Sequence, residues 1–419
     1  MTQSIYSSGE LAIYGGPPVR SAEYEPYNPL TLEDVQRGQE VLLSGHLSGF
    51  VGRAGPKFEG GMQVQLLERT VEDLFEIDQC ITVNSATSGL HLALLAAGIG
   101  PGDDVIVANA SMSATGAAVL MVGATPVFVD IEPDFFCIDC DACELAITKS
   151  TKAIIAVNLF GQAADLKRLR SICDRERLKL LLDNAQGIGS SIDGRMSDSF
   201  ADMSVLSFNI HKVINCGEGG AILTDNPELA ETLKLLRNHG EAVIDDLGIA
   251  DYDKRLFGFN FRLTEVQAAV LVGQVRRLKH YNDSRIELAQ MLSSELAEVD
   301  PTLVPRLRQP SSHVFYLFPM VFQPGSWNVD LDFILKALLA EGVHVSKYVK
   351  PLSQLPIFGS IKCDNCSNSE ASKSCALSNA CRLMNRELLV TNLCRKPHGR
   401  REIIELKEAV IKLYNHLSN

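Results

Sequence analysis

A lysine that follows a short apolar run is the first residue whose position suggests chemistry. Lys212 lies within Ser204–Thr224, between two runs short enough to be buried strands and just before a glycine-rich turn. A lysine amine becomes nucleophilic, and can form a Schiff base with a carbonyl compound, when it is desolvated or placed near other cations. The alternative is a solvated surface lysine, and this segment does not distinguish the two.

A second candidate lies upstream, in the sequence LKLLLDNAQGIGS of residues 178–190. Its apolar run ends on Asp183, three residues before Gln186. Ligands of open α/β sheets bind beyond the carboxyl ends of the strands. A carboxylate there can keep a pyridinium nitrogen protonated, which is its use in pyridoxal phosphate chemistry. The alternative is that Asp183 caps the N-terminus of a helix.

A third pattern predicts a phosphate site. A strand is expected to end near Asn84, the small residues 85–88 to form a turn, and an apolar helix to run from about Gly89 to Ala97. Free amides and the positive end of the helix dipole bind phosphate at such a junction. An ordinary helix cap made by Ser85 or Thr87 explains the same residues.

Strands that alternate with helices through the first part of the chain predict βαβ units and a largely parallel sheet. A long helical region is predicted from Thr264 to Glu298. The later sequence predicts a smaller α+β domain, with strands in HVFYLFPMVF and GVHVSKYVKPL. Helices are expected at Leu32–Leu43, Gln63–Glu76, Asp141–Thr148, Ala164–Arg175, Glu228–Asn238, Asp330–Glu341 and Arg401–Leu417.

Composition excludes several classes of protein. The chain has 419 residues, 46% of them hydrophobic, and a formal charge of −12, which indicates a globular protein with a sizeable core. A general nucleic-acid binder would have a basic face, and no run approaches the roughly 18 apolar residues of a spanning helix. The first residues lack the basic and apolar regions of a secretory signal. We therefore expect a cytoplasmic protein with no nucleic-acid and no membrane partner.

The eleven cysteines are dispersed, and without a secretory signal we expect them to be reduced. Two groups have spacings that suggest metal ligands: Cys137, Cys140 and Cys143, and Cys363, Cys366, Cys375 and Cys381. The second group could fit tetrahedral zinc, but its later pair is irregularly spaced and no histidine is near. A surface insertion with free thiols is the better interpretation, and we predict no metal.

The lysine and aspartate segments together resemble a known family. SFNIHKVINCGEGGAILT and LLLDNAQGIGS are similar to the motifs of the DegT/DnrJ/EryC1/StrS sugar aminotransferases, and the likeness extends over nearly the whole chain. It implies an α/β fold, the fold type I of pyridoxal-phosphate-dependent transferases, with a mostly parallel seven-stranded sheet. The implied organisation is an N-terminal arm (1–60), a large cofactor domain (61–285) and a small α+β domain (286–419), with a cysteine-bearing insertion at about 359–380.

The resemblance also implies residue roles. Lys212 would hold pyridoxal phosphate as a Schiff base and then transfer protons, Asp183 would hold the pyridinium proton, and Gln186 would bond the ring's phenolic oxygen. The cofactor phosphate would be bound by the turn and by the serine five residues before the lysine. These phosphate residues are Ala86, Thr87, Ser88 and Ser207, with Ala86 in place of the family's glycine. A strand hydroxyl bonded to the backbone is the alternative for Ser207.

Three further positions are implied by the same resemblance. Met112 stands where the family has an aromatic residue stacked on the cofactor ring; a thioether can make that contact, and the alternative is a core methionine. Asn260 would reach the phosphate of the neighbouring subunit's site, and Arg262 would lie near the substrate. A turn residue and a surface cation are the respective alternatives.

The implied activity is ping-pong amino transfer by a cytoplasmic homodimer with shared active sites. The donor would be glutamate or glutamine, and the acceptor a nucleotide-linked keto sugar or a keto-cyclitol. A sugar dehydratase of the same fold is one rival, although such relatives carry histidine in place of the lysine. A catalytically idle regulatory or scaffold homologue is another, weakly favoured by Met112 and by Ile188, where many relatives have histidine. A zinc-dependent interaction module in the C-terminal segment is the third.

Overall fold

A seven-stranded sheet forms the centre of the molecule, whose computed structural model describes residues 10–244, 257–359 and 378–418. The strands, in chain order, are β1 (Gln79–Val83), β2 (Asp104–Ala108), β3 (Thr125–Val129), β4 (Thr151–Val157), β5 (Lys179–Asp183), β6 (Ser191–Ile192), β7 (Arg195–Met196), β8 (Met203–Ser207), β9 (Gly220–Thr224), β10 (Phe318–Val321) and β11 (Leu388–Thr391). The large sheet has the order β1-β9-β8-β5-β4-β2-β3, while β6–β7 and β10–β11 form separate two-stranded pairs.

The large sheet is mostly parallel, as the sequence predicted. Strands β3, β2, β4, β5 and β8 pair in parallel. Strand β9 runs antiparallel to β8 and β1. The carboxyl ends of β5 and β8 therefore lie at the same edge, and ligands bind at such edges. This topology brings Asp183, the last residue of β5, to the same edge as Ser207, the last residue of β8.

Twelve α-helices of the described ranges lie before, between and after the strands. They are α1 (Leu32–Ser44), α2 (Met62–Phe75), α3 (Ala86–Ala96), α4 (Ser113–Met121), α5 (Cys140–Ala146), α6 (Leu166–Glu176), α7 (Pro227–Arg237), α8 (Glu265–Arg276), α9 (Leu278–Ala297), α10 (Leu331–Ala340), α11 (Asn379–Arg382) and α12 (Arg400–Ser418). The seven shorter helices predicted from sequence are present within a few residues of their expected bounds. In the described part of the chain, no helix combines the length and the apolar content needed to cross a bilayer.

Three local predictions were wrong. Helix α3 begins at Ala86 and not near Gly89, because Ser85 accepts the Ser88 amide and starts the helix earlier. The long helical region is two helices, α8 and α9, which meet at Arg277. The segment GVHVSKYVKPL forms no regular strand; its Ser346 makes only an isolated bridge to Val390 of β11.

Alternate residues of the strands point to opposite faces of the sheet, and each face has its own apolar core. Ile154 of β4 belongs to one cluster, whereas Ile155 belongs to the other. A separate cluster joins Leu288 of α9 to Leu413 of α12 and to Leu11 of the N-terminal arm. The predicted boundary at residue 285 falls inside α9. The division into arm, large domain and small domain stays a prediction.

The cysteines of the described ranges are free thiols, eight in number, and no group of three or more histidine, cysteine or acidic residues there could hold a metal ion. Cys137, Cys140 and Cys143 are buried in the apolar core on one face of the sheet. The residues Cys363, Cys366 and Cys375, with most of the predicted insertion, lie outside the described residues. The zinc hypothesis for that segment therefore stays a hypothesis.

Gly220 allows residues 85–88, the predicted phosphate site (called the phosphate turn below), to pack against the sheet. It begins β9 and pairs with Val83 at the end of β1 and with Ser207 at the end of β8. A Cβ added there would lie 2.7 Å from the Ala86 nitrogen and 2.8 Å from the Leu206 carbonyl oxygen. Both are backbone atoms, so a side chain would push the turn away from the strands.

We expect Gly220→Ala to lower the free energy of unfolding by about 1–3 kcal/mol, the usual result of overpacking a close contact. Gly325→Ala is the matched control, because a Cβ at Gly325 meets nothing within 4 Å. Urea unfolding with a constant denaturant slope measures both variants. Equal midpoints for the two variants would contradict the close packing of the turn.

Candidate active site

Asp183 is the most tightly held polar side chain at the edge of the sheet where β5 and β8 end. It is 5% exposed. Its Oδ2 accepts a 2.7 Å hydrogen bond from the Thr115 hydroxyl, and its Oδ1 accepts one of 3.2 Å from the Ala185 amide. Ser111 lies 2.8 Å from Thr115 and completes the chain of hydroxyls. No helix begins at Asp183, so the alternative of a helix cap is wrong.

Burial raises the pKa of Asp183, because a carboxylate loses its hydration at this position. The hydrogen bonds from Thr115 and Ala185 and the positive charge of Lys212 oppose that rise. The carboxylate is therefore an incompletely compensated buried charge. A hydrogen-bond donor or a cation placed against it would stabilise its ionised form.

Lys212 lies on the loop between β8 and β9, as the sequence predicted. The residue is half-buried, and its Nζ is 4.5 Å from the centre of the Tyr316 ring. Within the described ranges its amine has no ion-pair partner, although its charge acts on Asp183. The lysine is thus held against an aromatic face with its amine available for reaction, which is unlike a fully solvated surface lysine.

Gln186 is buried and uses both ends of its amide. Its Oε1 accepts a 3.1 Å hydrogen bond from the Phe160 amide, and its Nε2 donates one of 2.6 Å to the Tyr348 hydroxyl. Burial raises the pKa of Tyr348, so this phenol is neutral and can donate in turn. Since an amide nitrogen carries two protons, Gln186 keeps one donor for a ligand.

The predicted phosphate turn is the start of α3, since Ala86, Thr87 and Ser88 are already helical and Ser85 is the N-cap. Ser85 caps α3 by accepting the Ser88 amide at 3.1 Å, and the Ser88 hydroxyl donates to Asn84 Oδ1 at 2.7 Å. The interpretation of Ser85 as an N-cap is therefore correct. The cap leaves the amides of Ala86 and Thr87, in the first helical turn, without partners inside the helix. Free amides at a helix N-terminus can bind an anion, and phosphate binding by Ala86 and Thr87 stays a prediction.

Ser207 lies beside this turn, because it pairs with Gly220 against which the turn packs. The serine is 5% exposed, and its hydroxyl accepts only a long 3.4 Å hydrogen bond from the Asn209 amide. A hydroxyl with so weak a partner can still donate to a ligand.

Met112 immediately precedes α4, one turn before the residue that bonds Asp183. Its side chain is 55% exposed, so the alternative of a core methionine is wrong. The Met112 carbonyl accepts the Thr115 amide at 3.1 Å, which places the methionine at the helix start nearest to the buried carboxylate. Stacking on a ligand ring stays a prediction.

Asn260 and Arg262 lie on the segment that follows α7. Asn260 is exposed, and its Oδ1 accepts a 2.8 Å hydrogen bond from Arg262 Nε. The intervening Phe261 carbonyl accepts the Asn84 amide at 2.8 Å. The segment therefore runs beside the phosphate turn of its own chain.

Sequence reasoning missed Thr115, Tyr316 and Tyr348. Thr115 lies in α4, within a stretch of small residues, ANASMSATGAAVLMVGA, which has no motif to mark one threonine. The two tyrosines lie in segments that were predicted only as strands of the second domain. Each reaches the site through tertiary packing, for which the local sequence carries no signal.

Comparison with known proteins identifies the family. The family model for the DegT/DnrJ/EryC1/StrS aminotransferase family matches residues 53–387. The chain is 32% identical over 361 residues to L-glutamine:2-deoxy-scyllo-inosose aminotransferase of Streptomyces kanamyceticus, covering 84% of this chain and 83% of that one. It is 32% identical over 309 residues to GDP-perosamine synthase of Caulobacter vibrioides, covering 73% and 81%.

A solved structure of NtdA from Bacillus subtilis, described with bound cofactor PMP, superposes with a TM-score of 0.74 at 28% identity, covering 94% of this chain and 86% of that one. The fold, with a buried carboxylate and a lysine at one edge of a mostly parallel sheet, defines the class of fold type I aminotransferases. Within that class, the chain belongs to the DegT/DnrJ/EryC1/StrS aminotransferase family.

We expect Thr115→Val to lower the free energy of unfolding of the cofactor-free protein by about 1.5–3 kcal/mol at alkaline pH, because a hydrogen bond to a charged group is lost. That bond opposes the rise in the pKa of Asp183, so its removal raises the pKa further. The loss of stability should therefore diminish as pH falls and the carboxyl becomes protonated.

Thr115→Ser is the matched control, since it keeps the hydroxyl and should retain most of the stability. Urea unfolding at alkaline and at acidic pH measures the difference. A loss that is the same at both pH values would contradict the role of Thr115 as a donor to a carboxylate.

Proposed function

We propose that this aminotransferase uses pyridoxal phosphate to move an amino group from an amino acid to a keto sugar or keto-cyclitol. The observation that carries the proposal is the buried Asp183 carboxylate, held by Thr115 within range of the charge of Lys212. When bound, pyridoxal phosphate supplies a reactive carbonyl and a protonated ring that delocalises the electron pair left on the substrate carbon.

The residues of the site fit this cofactor. Asp183 is a buried, incompletely compensated carboxylate that a protonated ring nitrogen would partner. Lys212 would hold the cofactor through its Nζ, which no acidic side chain occupies within the described ranges. The free amides of the phosphate turn and the Ser207 hydroxyl would bind its phosphate, and the exposed Met112 would contact its ring.

The protein's own groups have separable tasks in the reaction. Asp183 keeps the ring nitrogen protonated, and Thr115 keeps Asp183 ionised and fixed in direction. Lys212 Nζ would take the proton from the substrate's Cα and deliver it to C4′, the cofactor carbon that is bonded to the transferred nitrogen. Gln186, oriented by Phe160 and Tyr348, donates its remaining amide proton to the ring oxygen.

The relatives support the choice of substrates. One is named for glutamine as donor and for a cyclitol ketone, and the other for a GDP-linked sugar. We therefore propose glutamate or glutamine as the donor and a nucleotide-linked keto sugar or a keto-cyclitol as the acceptor. Arg262, next to Asn260, is proposed to contact that substrate.

We also propose a cytoplasmic homodimer with shared active sites. Helix α1 carries large apolar side chains that are exposed in the single chain, namely Leu32, Val35, Leu42 and Leu43. Such a patch is typical of a protein interface. Asn260 is also exposed and would reach the neighbouring subunit's phosphate site.

The rival functions are less well supported. A dehydratase of this fold would carry histidine at the lysine position, and the residue held over Tyr316 is Lys212. An idle homologue would have no need of a buried carboxylate fixed by a dedicated hydroxyl, as Asp183 is by Thr115.

Borohydride reduction tests the cofactor and the lysine together. We expect the purified protein to absorb in the visible band of a lysine-bound pyridoxal group, and reduction to fix the label on a peptide that contains Lys212. Lys212→Ala should abolish turnover but still bind the cofactor, whereas the exposed Lys350→Ala should behave as the wild type. A label on a different lysine would overturn the assignment.

The position of Asn260 can be tested by mixing subunits. If it acts across the dimer, a heterodimer of Lys212→Ala and Asn260→Ala chains has one site with both lesions and one intact site. Activity should then rise above either parent, toward about half that of the wild type, provided that Asn260→Ala alone loses the roughly 1.5–3 kcal/mol of a charged hydrogen bond.

An arrangement within one chain predicts the opposite result. The hydrogen bond between Phe261 and Asn84 places the segment beside its own chain's turn, and in that case each site of the heterodimer carries one lesion. Mixing would then restore no activity. Subunit exchange is verified beforehand with two differently tagged wild-type chains.

A further inference from the structure

A pocket of about 260 Å³ lies between the N-terminal arm, the start of α9 and the segment that precedes α12. Its cationic lining comes from Arg285, Arg395 and Lys396, and Tyr27 of the arm forms one wall. None of the residues that line it is acidic. The pocket is distinct from the lysine and the aspartate described above, which do not line it.

Arg285 is 2% exposed, yet its guanidinium is incompletely bonded. Its Nη1 makes only long hydrogen bonds, of 3.3 and 3.4 Å, to the carbonyls of Phe315 and Tyr316, and its buried Nη2 has no partner. A buried donor without a partner destabilises the protein unless a ligand satisfies it. Arg285 thus brings a buried positive charge with an unused donor to the wall of this pocket.

Arg395, on the segment that precedes α12, also has a guanidinium nitrogen without a partner. Its Nε is buried without a hydrogen-bond partner. The two guanidinium groups lie 5.3 and 5.2 Å from the centre of the same ring, that of Tyr27. In the part of the chain that the structure describes, neither arginine has a carboxylate in ion-pair contact. Burial and the charge of Arg285 together lower the pKa of Arg395.

Two contacts connect the pocket to the catalytic lysine. The Tyr27 hydroxyl donates to the carbonyl of Val213, the residue after Lys212. Arg285 bonds the carbonyl of Tyr316, whose ring contacts Lys212 Nζ. The pocket is therefore linked to the lysine through the backbone of Val213 and through Tyr316.

We propose that Arg285 and Arg395 form a binding site for an oxyanion group of the substrate. Two guanidinium groups with unused N–H donors and no acidic residue in the pocket lining match the oxygens of a carboxylate or a phosphate. The group would come from the carboxylate of the amino donor or from the diphosphate of a nucleotide-linked acceptor. The inference rests on the proposed function, since both sources are its substrates.

The test uses Arg395→Gln in protein saturated with pyridoxal phosphate, so that the cofactor's own phosphate site is filled. Arg400→Gln is the matched control, because it removes the same charge from a nearby exposed position outside the pocket. Arg285→Lys, which keeps the charge but loses the fork of donors, is a second variant if Arg395→Gln does not fold. Calorimetric titration with inorganic phosphate, L-glutamate and GDP measures binding directly.

We expect Arg395→Gln to weaken binding of at least one probe by about tenfold or more, equivalent to about 1.4 kcal/mol, while Arg400→Gln binds as the wild type. If the site holds the donor, glutamate binding weakens. The donor half-reaction of the variant then has a higher apparent Kd for glutamate, while its limiting rate stays within about twofold of the wild-type rate. If it holds the acceptor, GDP binding weakens and the donor half-reaction is unchanged.

The proposal is overturned if the wild type binds none of the three probes, or if the variants and the wild type bind them equally. Failure of the proposed function gives a different result. The wild type would then bind phosphate through Arg395, but neither glutamate nor glutamine would convert the bound cofactor to its amino form.

Discussion

The site depends on one constraint, the burial of a carboxylate at the end of an interior strand. Asp183 is surrounded by protein on β5, between β4 and β8, and its charge is compensated only in part by Thr115, Ala185 and Lys212. Because the carboxylate has lost its hydration, its ionised form is stabilised only by the donors and the positive charge around it, and these groups must be held in place. The architecture around it follows from that requirement.

The strongest support comes from a buried amide network behind the aspartate. The Asn158 side-chain amide donates to Asn184 Oδ1 at 2.8 Å and to the hydroxyls of Ser190 and Ser197. Asn184, which follows the aspartate, donates in turn to the buried Asp198. Gly187 fits against this network, since a Cβ there would lie 2.4 Å from Asn184 Oδ1. The loop that carries Gln186 is thereby held rigid.

Site residues at the ends of regular strands could be placed from the sequence, whereas those in irregular segments could not. Asp183, Ser207 and Lys212 lie at or just after strand ends, so alternation of elements and local motifs were sufficient to place them at one edge. Tyr316 and Tyr348 come from irregular segments of the later chain. Near Tyr348 the apolar residues alternate as in a strand, but backbone pairing with β11 is confined to Ser346 and Val390. Such positions are determined by packing between distant segments, which local periodicity does not encode.

The loop that carries the lysine is joined at both ends to interior strands. It leaves β8 after Ser207 and returns as β9 at Gly220, and the Phe208 amide bonds the Gly219 carbonyl at 2.8 Å, so the two ends are fastened together. The backbone at Lys212 is itself held by a 2.8 Å bond from its amide to Asn209. Because the backbone is fastened at these points, rotation about the lysine's side-chain bonds is enough to displace the amine. Such rotations are faster than the loop and domain motions that solvent viscosity slows.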